Sequence, residues 1–138
     1  MTDYDYFHAK SVTGDDDFDT VHHKHIDPTV ALGRLAAFVL DRPYSVDLVD
    51  DRLVYPPSGA NDPSYEGPWI SVLPDSLRNL IAGVPAERVP ELAERWAGIE
   101  EFDGLFPVDE LREVITDLVT LAAEALLAGE SLYCRVGL

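Results

Sequence analysis

The chain has 138 residues, the length of one ordinary domain, and 46% of them are hydrophobic, which excludes a disordered chain. Its 26 acidic and 10 basic side chains give a formal net charge of −16, which disfavours binding to nucleic acid and to anionic membranes. The start of the chain has no basic and apolar run of the secretory type, and no segment reaches the roughly 18 apolar residues of a membrane span. We therefore expect a cytoplasmic protein.

The first half of the chain predicts strands, loops and one helix. Residues Asp3–Ala9 alternate as a strand does. Asp27 and Pro28 suit the cap and the first position of a helix that runs to about Leu40. Two short β-prone runs, Ser45–Asp50 and Arg52–Tyr55, predict a hairpin. A loop rich in proline and glycine follows at 56–68, and then a strand at Trp69–Leu73.

The second half predicts three helices and a closing strand. Leu77, Leu80, Ile81 and Val84 have helical spacing, with Gly83 placed to end their helix. Further helices are predicted over about 90–98 and about 108–128, and the ending SLYCRVGL predicts a final strand. Cys134 in that strand is expected to be a core residue and not a nucleophile.

These elements predict an α+β fold in a single domain over residues 1–138. Strands and helices do not alternate regularly, which disfavours a doubly wound parallel sheet. We expect a small mixed or antiparallel sheet packed against about four helices. A long C-terminal helix should be followed by a short terminal strand.

The stretch GDDDFDTVHHKHID, residues 14–27, is the densest group of polar side chains. Its aspartates begin like a calcium loop, but Thr20 and Ile26 replace the required glycine and glutamate, which excludes that reading. The close spacing of three histidines suits a zinc or other divalent metal site completed by Asp19 or Asp27. These histidines are His22, His23 and His25. The alternative is a polar loop that ends in the helix cap Asp27.

The charge favours a non-enzymatic protein that binds a basic protein partner, as an immunity protein neutralises a toxin. No cofactor is expected. The predicted partner-binding residues are aspartates of two segments and one aromatic loop residue. They are Asp15, Asp16, Asp17, Asp19, Asp50, Asp51 and Tyr65. The alternatives are a small metal-dependent enzyme that uses the three histidines, and a ligand-sensing module with a pocket beneath the loop between Tyr55 and Trp69.

The order of several segments carries a resemblance. VALGRLAAFVL, PWISVL, SLRNLIAGVP, WAGIEEF and VITDLVTLAAEALLAGESLY follow one another after Asp27. The chain resembles small acidic actinobacterial proteins that contain the WAGIEEF segment, and more distantly the YfbM-like family of bacterial proteins. The resemblance implies an α+β fold and assigns no activity and no catalytic residue.

Overall fold

The computed structural model describes residues 3–12, 21–23, 26–57 and 63–137, which form one sheet and the helices packed against it. The strands are β1 (Asp3–Ala9), β2 (Val21–His23), β3 (Arg52–Tyr55), β4 (Trp69–Val72) and β5 (Ser131–Gly137). The α-helices of the described residues are α1 (Ala31–Leu40), α2 (Asp75–Ala82), α3 (Val89–Ala97) and α4 (Val108–Ala128). The predicted α+β fold class is confirmed, including the long last helix and the strand after it.

The sheet has the strand order β2-β1-β5-β4-β3, and each neighbouring pair is antiparallel. The longest pairing joins the first and last strands, from Asp3 opposite Gly137 to Ala9 opposite Ser131. The four-residue strand β3 is at one edge.

The main core lies between the sheet and the helices. Helix α4 buries the predicted residues Leu111, Ile115, Leu118 and Ala122. These side chains recur every three or four residues, so they share one face of the helix. Trp96 of α3 is completely buried, and its indole nitrogen donates a hydrogen bond of 2.8 Å to the carbonyl oxygen of Ala31. This bond joins α3 to the start of α1.

The predicted cap of the first helix is present, although the helix begins later than predicted. Residues 28–30 form a turn, and α1 starts at Ala31. The carboxylate of Asp27 accepts the backbone N–H groups of Val30 at 2.8 Å and Ala31 at 3.0 Å. Asp27 therefore satisfies two backbone donors that have no acceptor within the helix.

The predicted hairpin at Ser45–Asp50 and Arg52–Tyr55 is wrong. Val46–Leu48 is a 3-10 helix, and β3 pairs instead with β4. The segment between α1 and β3 is anchored to the helical side of the molecule, because Val49 is buried in the main core and the Tyr44 hydroxyl donates to the Thr29 carbonyl oxygen. These tertiary contacts outweigh the local β preference.

Candidate functional site

The residues predicted to form a site lie only partly within the described structure. Asp15, Asp16, Asp17, Asp19 and His25 are outside the described residues. His22 and His23 are in β2, in register with Asp5 and Tyr4 of β1. Within the ranges given above, no group of three or more histidine, cysteine or acidic side chains is arranged to hold a metal ion. The metal site at the three histidines therefore stays a prediction.

Two predicted partner-binding residues, Asp50 and Asp51, line the same cleft, and Asp75 joins them there. We call it the acidic cleft. Its volume is about 420 Å³, and Arg52 and Ser131 also line it. The sequence analysis did not select Asp75, because an aspartate in the first turn of a helix is also explained by the helix dipole.

Four chain segments converge to build the acidic cleft. The backbone N–H of Leu73 donates to the carbonyl oxygen of Leu132 at 2.8 Å, which holds the end of β4 beside the start of β5. Pro74 then turns the chain into α2. The Ser131 hydroxyl donates to Asp75 Oδ1 at 2.8 Å, which ties the start of α2 to β5. The remaining wall is the start of β3 with the two residues before it.

The acidic cleft carries a surplus of negative charge that solvent can reach. Asp50 is exposed, and it forms no ion pair among the described residues. The side chain of Asp75 is 57% exposed, and the Arg78 guanidinium is 3.4 Å from it. That guanidinium also donates to the carbonyl oxygen of Glu130 at 2.8 Å, so Asp75 shares it with the residue before β5. Even with Arg52 and the shared Arg78 counted, the three carboxylates leave a net negative charge, which suits this cleft to a cationic side chain.

Tyr65, the remaining predicted partner residue, lies apart from the acidic cleft. Its hydroxyl donates to the carbonyl oxygen of Pro68 at 2.6 Å, and its ring meets Trp69 edge-on with 5.7 Å between centroids. Gly67 has a φ of +96°, and a Cβ there would come within 2.8 Å of the Trp69 ring. The described part of this loop therefore packs on itself, and the structure does not bring Tyr65 together with Asp50 and Asp51.

A second cleft is lined in part by residues of α2. It has a volume of about 510 Å³, and we call it the amphipathic cleft. Its lining includes the apolar residues Leu40, Leu77 and Leu80 and the charged residues Arg42 and Asp47. The sequence analysis did not predict this cleft, because Arg42 before Pro43 indicated only the end of a helix. The ligand-sensing alternative predicted a pocket beneath the loop between Tyr55 and Trp69, and no residue of that loop lines the amphipathic cleft.

His8 is the one described histidine outside the predicted metal site. Its Nδ1 lies 2.5 Å from Glu130 Oε1, and its Nε2 lies 3.5 Å from Glu124 Oε2. These contacts join β1 to the end of α4 and the residue before β5. Because the partners are more than a hundred positions away from His8, local sequence patterns do not predict the cluster.

Cys134 has the predicted core position. It is a free thiol with no exposed surface, and burial raises its pKa far above the ordinary value. Only the thiolate is a strong nucleophile, so this environment makes Cys134 unreactive.

Comparisons of this chain with family models, with curated proteins and with solved structures found no match. The resemblance to the actinobacterial and YfbM-like proteins therefore stays a prediction. Over the described residues, no helix has both the length and the apolar character required to span a bilayer.

Proposed function

We propose that this protein binds a basic protein partner, in the manner of an immunity protein, and that the acidic cleft receives a lysine or arginine side chain of that partner. The observation that supports the proposal is the convergence of Asp50, Asp51 and Asp75 on one cleft. The proposal includes a cytoplasmic location and no binding to nucleic acid, whose phosphates the chain would repel.

The net charge of −16 supports the same proposal at longer range. A field of this size accelerates the approach of a cationic partner, and salt weakens the effect because it screens exposed charges. The acidic cleft then supplies short-range contacts with the bound side chain, which the long-range electrostatic field does not provide. A cation that leaves water for a carboxylate forms a charge-assisted hydrogen bond, which is roughly twice as strong as a neutral one.

The test begins with capture of binding proteins from a lysate of the source cells on the immobilised chain at low salt. Each captured protein is then purified, and its Kd and association rate are measured. The wild-type chain is compared with the double variant Asp50→Asn/Asp51→Asn. We expect the variant to weaken binding by at least about tenfold, and the association rate to fall as salt is raised.

The matched control is the double variant Glu113→Gln/Asp117→Asn, which removes the same charge from exposed positions of α4 outside the acidic cleft. We expect it to change Kd less than about twofold at 150 mM salt, where exposed charges are screened. Equal weakening by the two double variants would reject the cleft as the binding site. Failure to capture any basic protein would reject the proposed function.

A further inference from the structure

Tertiary contacts of the segment after α1 support the amphipathic cleft. It lies between the C-terminal half of α1, the segment that follows this helix, and α2. Tyr44 fixes the segment against α1, because its hydroxyl donates to the carbonyl oxygen of Thr29 at 3.1 Å and the Arg34 guanidinium lies 4.5 Å above its ring. Gly33 allows this close approach, since a Cβ at that position would be 2.9 Å from the Tyr44 ring.

Four leucines supply the apolar part of the cleft lining, which also contains the polar side chains Ser45 and Ser76. Leu40 and Leu48 approach from the α1 side, and Leu77 and Leu80 line the α2 side. Leu40 is 36% exposed, and the neighbouring Val46 is 70% exposed. A volume of about 510 Å³ lies in the range of small-molecule sites, which combine apolar walls with a few polar groups.

The lining carries one charge of each sign, Arg42 and Asp47, and the two side chains do not form an ion pair with each other. Among the described residues, Arg42 has no carboxylate within 4.0 Å, whereas Arg34, Arg78, Arg95 and Arg135 all form ion pairs. The Asp47 carboxylate accepts a hydrogen bond from the Ser45 hydroxyl. Mainly because of that bond, the pKa of Asp47 is below its usual value, so the group is ionised at neutral pH.

We infer that the amphipathic cleft binds a small aliphatic α-amino acid of the leucine class, with its carboxylate on Arg42, its ammonium group on Asp47 and its side chain against the leucines. A guanidinium binds a carboxylate through two parallel hydrogen bonds. A carboxylic acid without an amine would be repelled by Asp47, and an amine without a carboxylate by Arg42. An α-amino acid with an aliphatic side chain matches both charges and the leucines of the cleft.

The test compares four compounds by thermal unfolding and calorimetry. L-Leucine is the expected ligand, 4-methylpentanoate keeps its carboxylate alone, 3-methylbutylamine keeps its ammonium group alone, and glycine lacks the apolar side chain. At about ten times its Kd, leucine should raise Tm by about 5 °C. The other three should bind at least about tenfold more weakly.

Two variants test whether leucine binds in the amphipathic cleft. Arg42→Met keeps most of the length of the side chain and removes its charge, and it should weaken leucine binding at least about tenfold. Arg112→Met removes an exposed arginine of α4 that also lacks an ion pair among the described residues, and it should leave leucine binding unchanged. Circular dichroism establishes that both variants are folded.

Three outcomes would overturn the inference. The first is that leucine gives no Tm shift and no heat at concentrations up to 50 mM, about tenfold above an assumed Kd of roughly 5 mM. The second is that 4-methylpentanoate gives a response equal to that of leucine. The third is that Arg42→Met still binds leucine as the wild type does. The double variant Asp50→Asn/Asp51→Asn separates this inference from the proposed function, because it changes the acidic cleft only and should bind leucine normally.

Discussion

The two faces of the sheet differ in what is packed on them. On the helical face, Tyr6, Leu132 and Cys134 belong to a buried cluster with side chains from each of the described α-helices. On the opposite face, a separate and much smaller group of buried side chains surrounds Phe7 and Tyr133. Because burial of apolar surface is the main favourable term in folding, we infer that the helical face supplies most of the stability. Exposed charges in the clefts can then be changed with little effect on the fold.

Trp96→Ala tests the helical face and has the largest expected effect. The substitution removes a completely buried ring that lies 5.4 Å from the Phe102 ring, and also the hydrogen bond to the Ala31 carbonyl oxygen. We expect a loss of about 3–5 kcal/mol in the free energy of unfolding, measured by urea denaturation. Leu127→Ala is the control, because Leu127 is 89% exposed and should change stability by less than about 0.5 kcal/mol.

Phe7→Ala makes the same measurement on the opposite face. Phe7 is buried and stacks on Tyr133 with 5.4 Å between ring centroids. Fewer neighbours enclose it, so we expect a loss of about 2–3 kcal/mol, below that of Trp96→Ala. If Phe7→Ala destabilised the protein as much as Trp96→Ala, the two faces would contribute equally and the comparison would fail.

Helix α4 of the helical face and strand β1 are the elements whose bounds the sequence predicts best. The bounds of α4 agree with the prediction at both ends, because apolar side chains recur with helical spacing and Gly129, at a φ of +67°, ends the helix. The hairpin prediction failed for the converse reason. Local alternation shows that Arg52–Tyr55 favours a strand, yet its partner, Trp69–Val72, lies on the far side of a long loop.

For the candidate sites, too, the sequence predicts local features but not contacts between distant segments. Asp50 and Asp51 were predicted as partner-binding residues because their charge is visible in the sequence. Their convergence with Asp75 depends on the packing of β3, β4, β5 and α2, which no local pattern contains. Arg42 and Asp47 were not predicted because neither belongs to a motif, and only the fold brings them into the lining of the amphipathic cleft.

Tyr6→Phe is the smallest change on the helical face, because it removes one oxygen atom. Tyr6 is buried, and its hydroxyl donates to the carbonyl oxygen of Ile26, which joins β1 to the residue before the Asp27 cap. The variant leaves that buried carbonyl without its donor. We expect a loss of about 1–2 kcal/mol in the free energy of unfolding at pH 7, measured by urea denaturation.

The pH dependence of the same variant should show that the phenol is buried as a neutral group. Burial, followed by the nearby Cys134, raises the pKa of Tyr6 well above its ordinary value. Below about pH 10 the phenol is protonated in both the folded and the unfolded chain, so its contribution to stability is fully present. Above that pH the unfolded chain loses the proton and the folded chain retains it, so stability falls by up to roughly 1.4 kcal/mol per pH unit. Tyr6→Phe should therefore lose less stability than the wild type between pH 10 and 11. Identical losses would mean that the Tyr6 phenol ionises as easily in the folded protein as in the unfolded chain, and that this part of the helical face admits water.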